Sequence, residues 1–320
     1  MSVATMGDHS IARIVVIVLS VLLFLTVLAF NAMAGQGIGP FLQGTGNVSD
    51  MYDTEITPSG WTFSIWGIIY TWLTAMLVYI FTGLCRRNAY GLMYCSPAVL
   101  PYGFFVAWII NMTLNIVWLF LWDRELMTPG LIVLALVAFT NYLMIFFSCV
   151  GLKAYGAWLF KYHDVDLWCL RMLVQNGIGV YTTWTTIATL INLCIVLHYN
   201  EGVSKSDAGT VSLSILLTAL TAWFVLENFV VEKHVRYIIT IYPVVIMALT
   251  GNMTKNFDST KPSRNGIFIA VLLAIACMMF MVRVMLVVWR HRSQPLYKGM
   301  STEEVMSPME IAEKQKRIFT

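Results

Sequence analysis

Charge is scarce in this sequence. Only 12% of its 320 residues are Asp, Glu, Lys or Arg, about half the share found in an ordinary soluble chain. The 20 basic and 17 acidic residues leave a formal charge of +3. No basic tract interleaves with aromatics, which sets nucleic acid aside as a partner. Cysteine is sparse and scattered: Cys85, Cys95, Cys149, Cys169, Cys194 and Cys277 form neither a CxxC pair nor a Cys/His cluster. A disulfide framework and a structural zinc are therefore not expected. A Ser-His-Asp set, an HExxH helix and a phosphate-cradling Gly loop with its Lys are missing too. The chain is not read as an enzyme, and no catalytic residue, cofactor or metal is expected.

What is present is hydrophobic: 58% of the residues, with a mean hydropathy of +0.74. About 20 apolar residues cross roughly 30 Å of hydrocarbon. Eight stretches qualify, at about 12–33, 60–84, 98–122, 129–150, 169–199, 209–230, 236–250 and 266–289. The seventh is short and contains Pro243. The first is longer than a signal-peptide core and reads as a retained helix. The expected fold is an all-α, polytopic membrane bundle.

Loop charges orient it. Arg86, Arg87, Lys153, Lys161, Arg171, Lys233, Arg236, Arg290, Arg292 and Lys298 fall on one side if the spans alternate, against a smaller set at Arg124, Lys205, Lys255, Lys261 and Arg264. The positive-inside rule makes the first side, and both termini, cytoplasmic in a plasma membrane or endomembrane. Asn47-Val-Ser lies in the first outside loop and is the glycosylation candidate, whereas Asn111-Met-Thr lies inside a span and Asn252-Met-Thr close to one. The tail after 290 is polar, disordered or helical only near its end, and "YKGM" at 297–300 fits a short sorting pattern.

The densest chemistry is aromatic. In "ITPSGWTFSIWGIIYTW", Thr57 and Pro58 suit a helix start, and Phe63, Trp66 and Tyr70 share one face. Trp66 and Tyr70 lie too deep to be interfacial belt residues, the place that suits Trp61. The third span repeats the theme with Asn111, Asn115, Trp118 and Trp122 along one stripe. These asparagines either bond helices together or line a cavity. On the fifth, Gly177, Tyr181, Trp184, Ala188 and Asn192 share a face. Rings with a few amides suit a large, flat, mostly apolar ligand.

These motifs resemble the TspO/translocator-protein family, the tryptophan-rich sensory proteins. The second-span "TPSGWTFSIWGIIY", the third-span Leu114-Asn115 with Trp118, and the fifth-span Tyr181, Trp184, Ala188, Thr189 and Asn192 match the family's motifs in order and spacing. The resemblance covers roughly the first 200 residues. There are departures: the family usually has two adjacent prolines where this chain has Pro58-Ser59, and one more residue between Phe63 and Trp66. Val180 and Phe120 also stand where the family has proline. The resemblance implies a five-helix bundle whose cavity takes a tetrapyrrole- or sterol-like molecule. Trp61, Phe63, Trp66, Tyr70, Asn115, Trp118, Tyr181, Trp184 and Asn192 would line or support it, with loop 35–58 as lid. A sterol-type pattern, Leu197…Tyr199…Lys205, also ends the fifth span.

Residues 1–208 are thus expected to form the TspO-like domain, 209–289 three additional spans and 290–320 a cytoplasmic tail. Glu227 and Arg283 lie near the same end of their spans and form a candidate intramembrane ion pair, with snorkelling to the headgroups as the alternative. The expected partners are a lipophilic small molecule and membrane lipids, with a homodimer left open. Ligand binding, with or without transfer, competes with an ion- or proton-coupled transporter using Glu227, an enzyme acting on a bound tetrapyrrole, and a scaffold or receptor acting through its tail.

Overall fold

The computed structural model describes residues 9–297 and 305–318. Seven helices among them are long and apolar enough to cross a bilayer: α1 (Ile11–Gln36), α3 (Gly60–Thr82), α4 (Tyr102–Asp123), α5 (Met127–Tyr162), α6 (Asp164–Asn200), α7 (Lys205–Val230) and α10 (Arg264–Ser293). Between them lie the short α2 (Thr45–Met51), α8 (Glu232–Val235) and α9 (Ile241–Asn256), and α11 (Pro308–Ile318) follows.

The expected seventh span corresponds to α9. It is 16 residues long, about 24 Å at 1.5 Å per residue, and falls short of the length needed to span alone. It still runs from the Glu227 end of the bundle, where Tyr242 meets Glu227, to the Pro58 end, where Asn256 donates to Thr57 O. Among the described residues, seven long helices and this shorter one therefore build the bundle. The fourth stretch, expected to stop at 150, continues as helix to Tyr162. Its extension is held by packing rather than by lipid: Tyr155, Trp158 and Leu159 are buried, and Trp158 meets the ring of Tyr90 in the 83–101 connection. A Cβ on Gly151 would lie 1.8 Å from the Val99 carbonyl oxygen, so only glycine lets that connection lie against α5.

α6 is the central column. It packs on α3, α5, α7 and α9, and nearly all of its middle is buried. Its ladder widens to π-helix at Leu170–Gln175 and Val196–Asn200, and such turns leave carbonyls open to other donors. Trp72 of the aromatic stretch takes one, its indole Nε1 donating to Met172 O at 2.9 Å. Asn176 Nδ2 takes another, at Arg171 O, and also donates to Tyr237 O.

The last helices share the main core with the first five, and α7 begins at Lys205, just before the expected division at 208. In the tail, Tyr297 packs against Gly156 and Phe160. The rest of the "YKGM" pattern, with Lys298, lies outside the described residues. α11 has an apolar edge that rests on α5 through Ile311.

Candidate functional site

α1, α3, α4 and α6 surround a cavity of about 560 Å³, within the range of small-molecule sites. Phe63, Trp66, Tyr70, Trp118, Trp184 and Asn192 all line it. Trp66 stacks on Tyr70 with ring centres 5.5 Å apart, and Trp184 meets both Trp66 and Phe63 edge-on, at 6.3 and 6.0 Å. On α4, Trp118 stacks on Trp122 at 5.4 Å, and Trp122 also lines the cavity. The walls are thus fixed ring faces, each ring held by another.

Asn115 and Tyr181 stand behind this wall. Asn31 Nδ2 donates to Asn115 Oδ1 at 3.0 Å, and Asn115 Nδ2 donates to Tyr181 Oη at 3.2 Å. The Tyr181 ring in turn meets Trp66 edge-on. Asn111, one turn along the same stripe, does something else. It donates to Val137 O, Thr140 Oγ1 and Asn141 Oδ1, and Asn141 passes the chain to Thr185 Oγ1. The stripe divides: Asn111 joins α4, α5 and α6, while Asn115 props the cavity's tyrosine.

Trp61 does not line the cavity. It is 49% exposed, because Gly60–Ser64 is a 3₁₀ turn that sends Thr62 into the core and Trp61 outward. The wall also has members that no motif signalled: Leu28, Asn31, Ala32 and Gly35 of α1 and Ser49 and Asp50 of the lid. The α1 residues do have a helical spacing, and a lone amide beside small residues in an apolar helix was their one available sign.

Four buried polar atoms of residues that line the cavity have no hydrogen-bond partner among the described residues: Tyr70 Oη, Trp118 Nε1, Trp184 Nε1 and Asn192 Oδ1. Burying such atoms unpaired costs about 1–3 kcal/mol each. Two indole N–H donors, one amide oxygen and one phenol hydroxyl on the cavity's residues are therefore left without partners.

The lid, with α2 at its centre, closes one end. Asp123 at the end of α4 accepts from the Leu42 and Gln43 amides at 2.8 and 3.1 Å and pairs with Arg124. Trp122 Nε1 donates to Thr45 O, and Tyr52 Oη to Glu125 Oε2. On the other flank Asp53 accepts from Lys205 at 3.1 Å and Lys255 at 2.8 Å. Partial burial alone would raise the Asp53 carboxyl, but the two ammonium groups outweigh it and hold it below its ordinary value. Tyr199 Oη donates to Asp53 O, so two residues of the sterol-type pattern serve this latch. Asn47 is exposed on α2, whereas Asn111 and Asn252 are buried.

Two of the departures from the family pattern have local explanations. Ser59, where a second proline is usual, donates both its amide and its hydroxyl to Gly251 O on α9, at 2.9 and 3.0 Å. Proline could make neither bond. Phe120, on α4, stacks on the lid's Phe41 with centres 5.0 Å apart.

Glu227 and Arg283 meet on the opposite side of the molecule. Both side chains are fully buried, with Arg283 Nε 3.4 Å from Glu227 Oε2. Tyr242 Oη donates to Glu227 Oε1. Arg283 also donates to Asn228 Oδ1 and to the Val235 and Arg236 carbonyls, tying α10 to the turn between α7 and α9.

A family model described as TSPO-like protein matches residues 17–288. The match continues well past the first 200 residues, through the last long helices. No curated protein and no solved structure matches the chain.

Proposed function

The chain belongs to the TSPO-like family, and from that premise we propose that it binds a flat, lipophilic, tetrapyrrole- or sterol-like molecule in the cavity between α1, α3, α4 and α6. One observation carries the reading: an aromatic cavity of about 560 Å³ whose lining residues hold four buried polar atoms without partners among the described residues. The rings would stack on the faces of the guest while Trp118 Nε1, Trp184 Nε1 and Asn192 Oδ1 bond its polar edge. Asn115 and Tyr181 would hold the wall in register, and the lid would govern access. Passage of the guest along or across the bilayer is a further step of the same reading.

Orientation belongs to this proposal too. With the basic connections cytoplasmic, the lid and exposed Asn47 face the opposite side, where Asn47 can carry a glycan. Against the transporter alternative, Glu227 is held between Arg283 and Tyr242, an arrangement that suits a clamp more than a proton carrier.

The test is tryptophan-fluorescence quenching of the purified protein, titrated with protoporphyrin and then with sterols. Saturable binding that weakens about tenfold in Trp118→Leu and in Trp184→Leu, with helicity unchanged, is the expected outcome. This corresponds to losing one hydrogen bond and part of a stack, about 1.4 kcal/mol. Absence of saturation with every member of the panel on folded protein would reject the reading.

A further inference from the structure

A second cavity of comparable size, about 580 Å³, lies where the last helices meet the first five. α5 and α7 both pack on α6 but not extensively on each other, which leaves a cleft between them floored by α6. That floor is the threonine run of "YTTWTT", and its polarity is already spent. Thr182, Thr183 and Thr186 donate their hydroxyls to the carbonyls of Ile178, Gly179 and Thr182, at 2.6, 2.8 and 2.8 Å. They therefore present methyl groups, and Leu216, Leu220 and Ile241 complete an apolar lining.

One end is different. Lys153 and His234 line the cavity there. They share that end because Cys149, one turn before Lys153 on α5, donates its thiol to His234 O at 3.6 Å. Both side chains are exposed, and among the described residues neither has a carboxylate within 4.0 Å. The nearest acid along the chain, Glu232, is engaged by Arg236 and Arg290, and Glu227 by Arg283. The cleft is thus apolar along its length and cationic at its mouth. Among the described residues no arginine fork lines it, and that argues for a carboxylate over a phosphate.

We propose that this cleft binds a free fatty acid, its chain along the threonine methyls of α6 and its carboxylate on Lys153 and His234. The site is distinct from the aromatic cavity, and because it spans the junction of the last helices with the first five, its occupancy would brace that junction.

The experiment uses the full chain in detergent, with 9,10-dibromostearate as a short-range quencher of Trp223, which lines the cleft. Saturable quenching is expected with the acid, about fivefold weaker with the corresponding dibrominated alcohol, as one partly exposed charge contact allows. The Lys153→Gln/His234→Gln pair should erase that difference, and Trp223→Phe should remove the saturable component. Ala219→Trp, at an exposed position on the cleft, should block the acid while leaving protoporphyrin quenching unchanged. Equal binding of acid and alcohol, or quenching that survives Trp223→Phe, would overturn the proposal. Tighter binding of lysophosphatidic acid than of stearate would overturn the carboxylate assignment. Failure of protoporphyrin to bind would bear on the aromatic cavity alone.

Discussion

Gly251 shows how much one missing side chain can decide. A Cβ there would sit 1.8 Å from Thr62 Oγ1, at the point where α9 meets the turn that opens the aromatic helix. Alanine in a helix interior is normally favoured over glycine by about 1 kcal/mol. At this position the overlap outweighs that gain, and overpacking costs about 1–3 kcal/mol. Gly251→Ala is expected to lower the thermal midpoint in detergent, although the same change on an open helix face would raise it. Asn115 is a second such residue. Asn115→Leu would strand the buried Tyr181 hydroxyl, at about 1–3 kcal/mol, while Asn31 keeps its bond to Val27 O. The change should weaken any cavity ligand without touching it directly. Isothermal titration beside a thermal melt separates the two effects.

Among the elements, the lid is the one held by exchangeable bonds. Its Asp53 latch combines two partly exposed pairs, each worth up to about 1 kcal/mol and weakened by salt. Because the two lysines depress the Asp53 carboxyl, its contribution is fully present above the ordinary carboxylate value of 3.8. It is lost as the pH falls through the lowered folded value. Hydrogen exchange of the α2 amides, taken relative to the intrinsic rate at each pH, should therefore quicken in acid below that point. At neutral pH Asp53→Asn should reproduce the same quickening, by up to about tenfold. The Asp123 contacts on the other flank, to two backbone amides, should still hold residues 42 and 43 in the variant.

The whole molecule depends on its last helices holding to one another as well as to the first five, and the joint that ties α7, α9 and α10 is buried. Arg283→Met would leave the enclosed Glu227 without its cation, which costs about 3–5 kcal/mol. Replacing both partners, as Glu227→Leu with Arg283→Met, should recover much of that loss, since a well-packed apolar pair is often as stable as a buried ion pair. Thermal unfolding of the single and double variants checks this. A proton-coupled transporter would instead lose uptake in both.

The sequence by itself determined the all-α membrane bundle, the aromatic face of α3 and six of the cavity's lining side chains. Apolar length and helical period are properties of each segment, and lipid rewards them segment by segment. Tertiary structure alone decided which way each stripe turned. Asn111 and Asn115 have the same spacing logic, yet one bonds α5 and the other props Tyr181, because the rotation of α4 against its neighbours is not written in its own period. Trp61 left the wall because the helix opens with a 3₁₀ turn, whose three-residue period differs from that of the helix it feeds. The Asp53 latch, the Ser59 bonds to α9 and the α5 extension all join residues far apart in the chain. They exist only once the helices have packed, since each depends on a partner that no local pattern specifies.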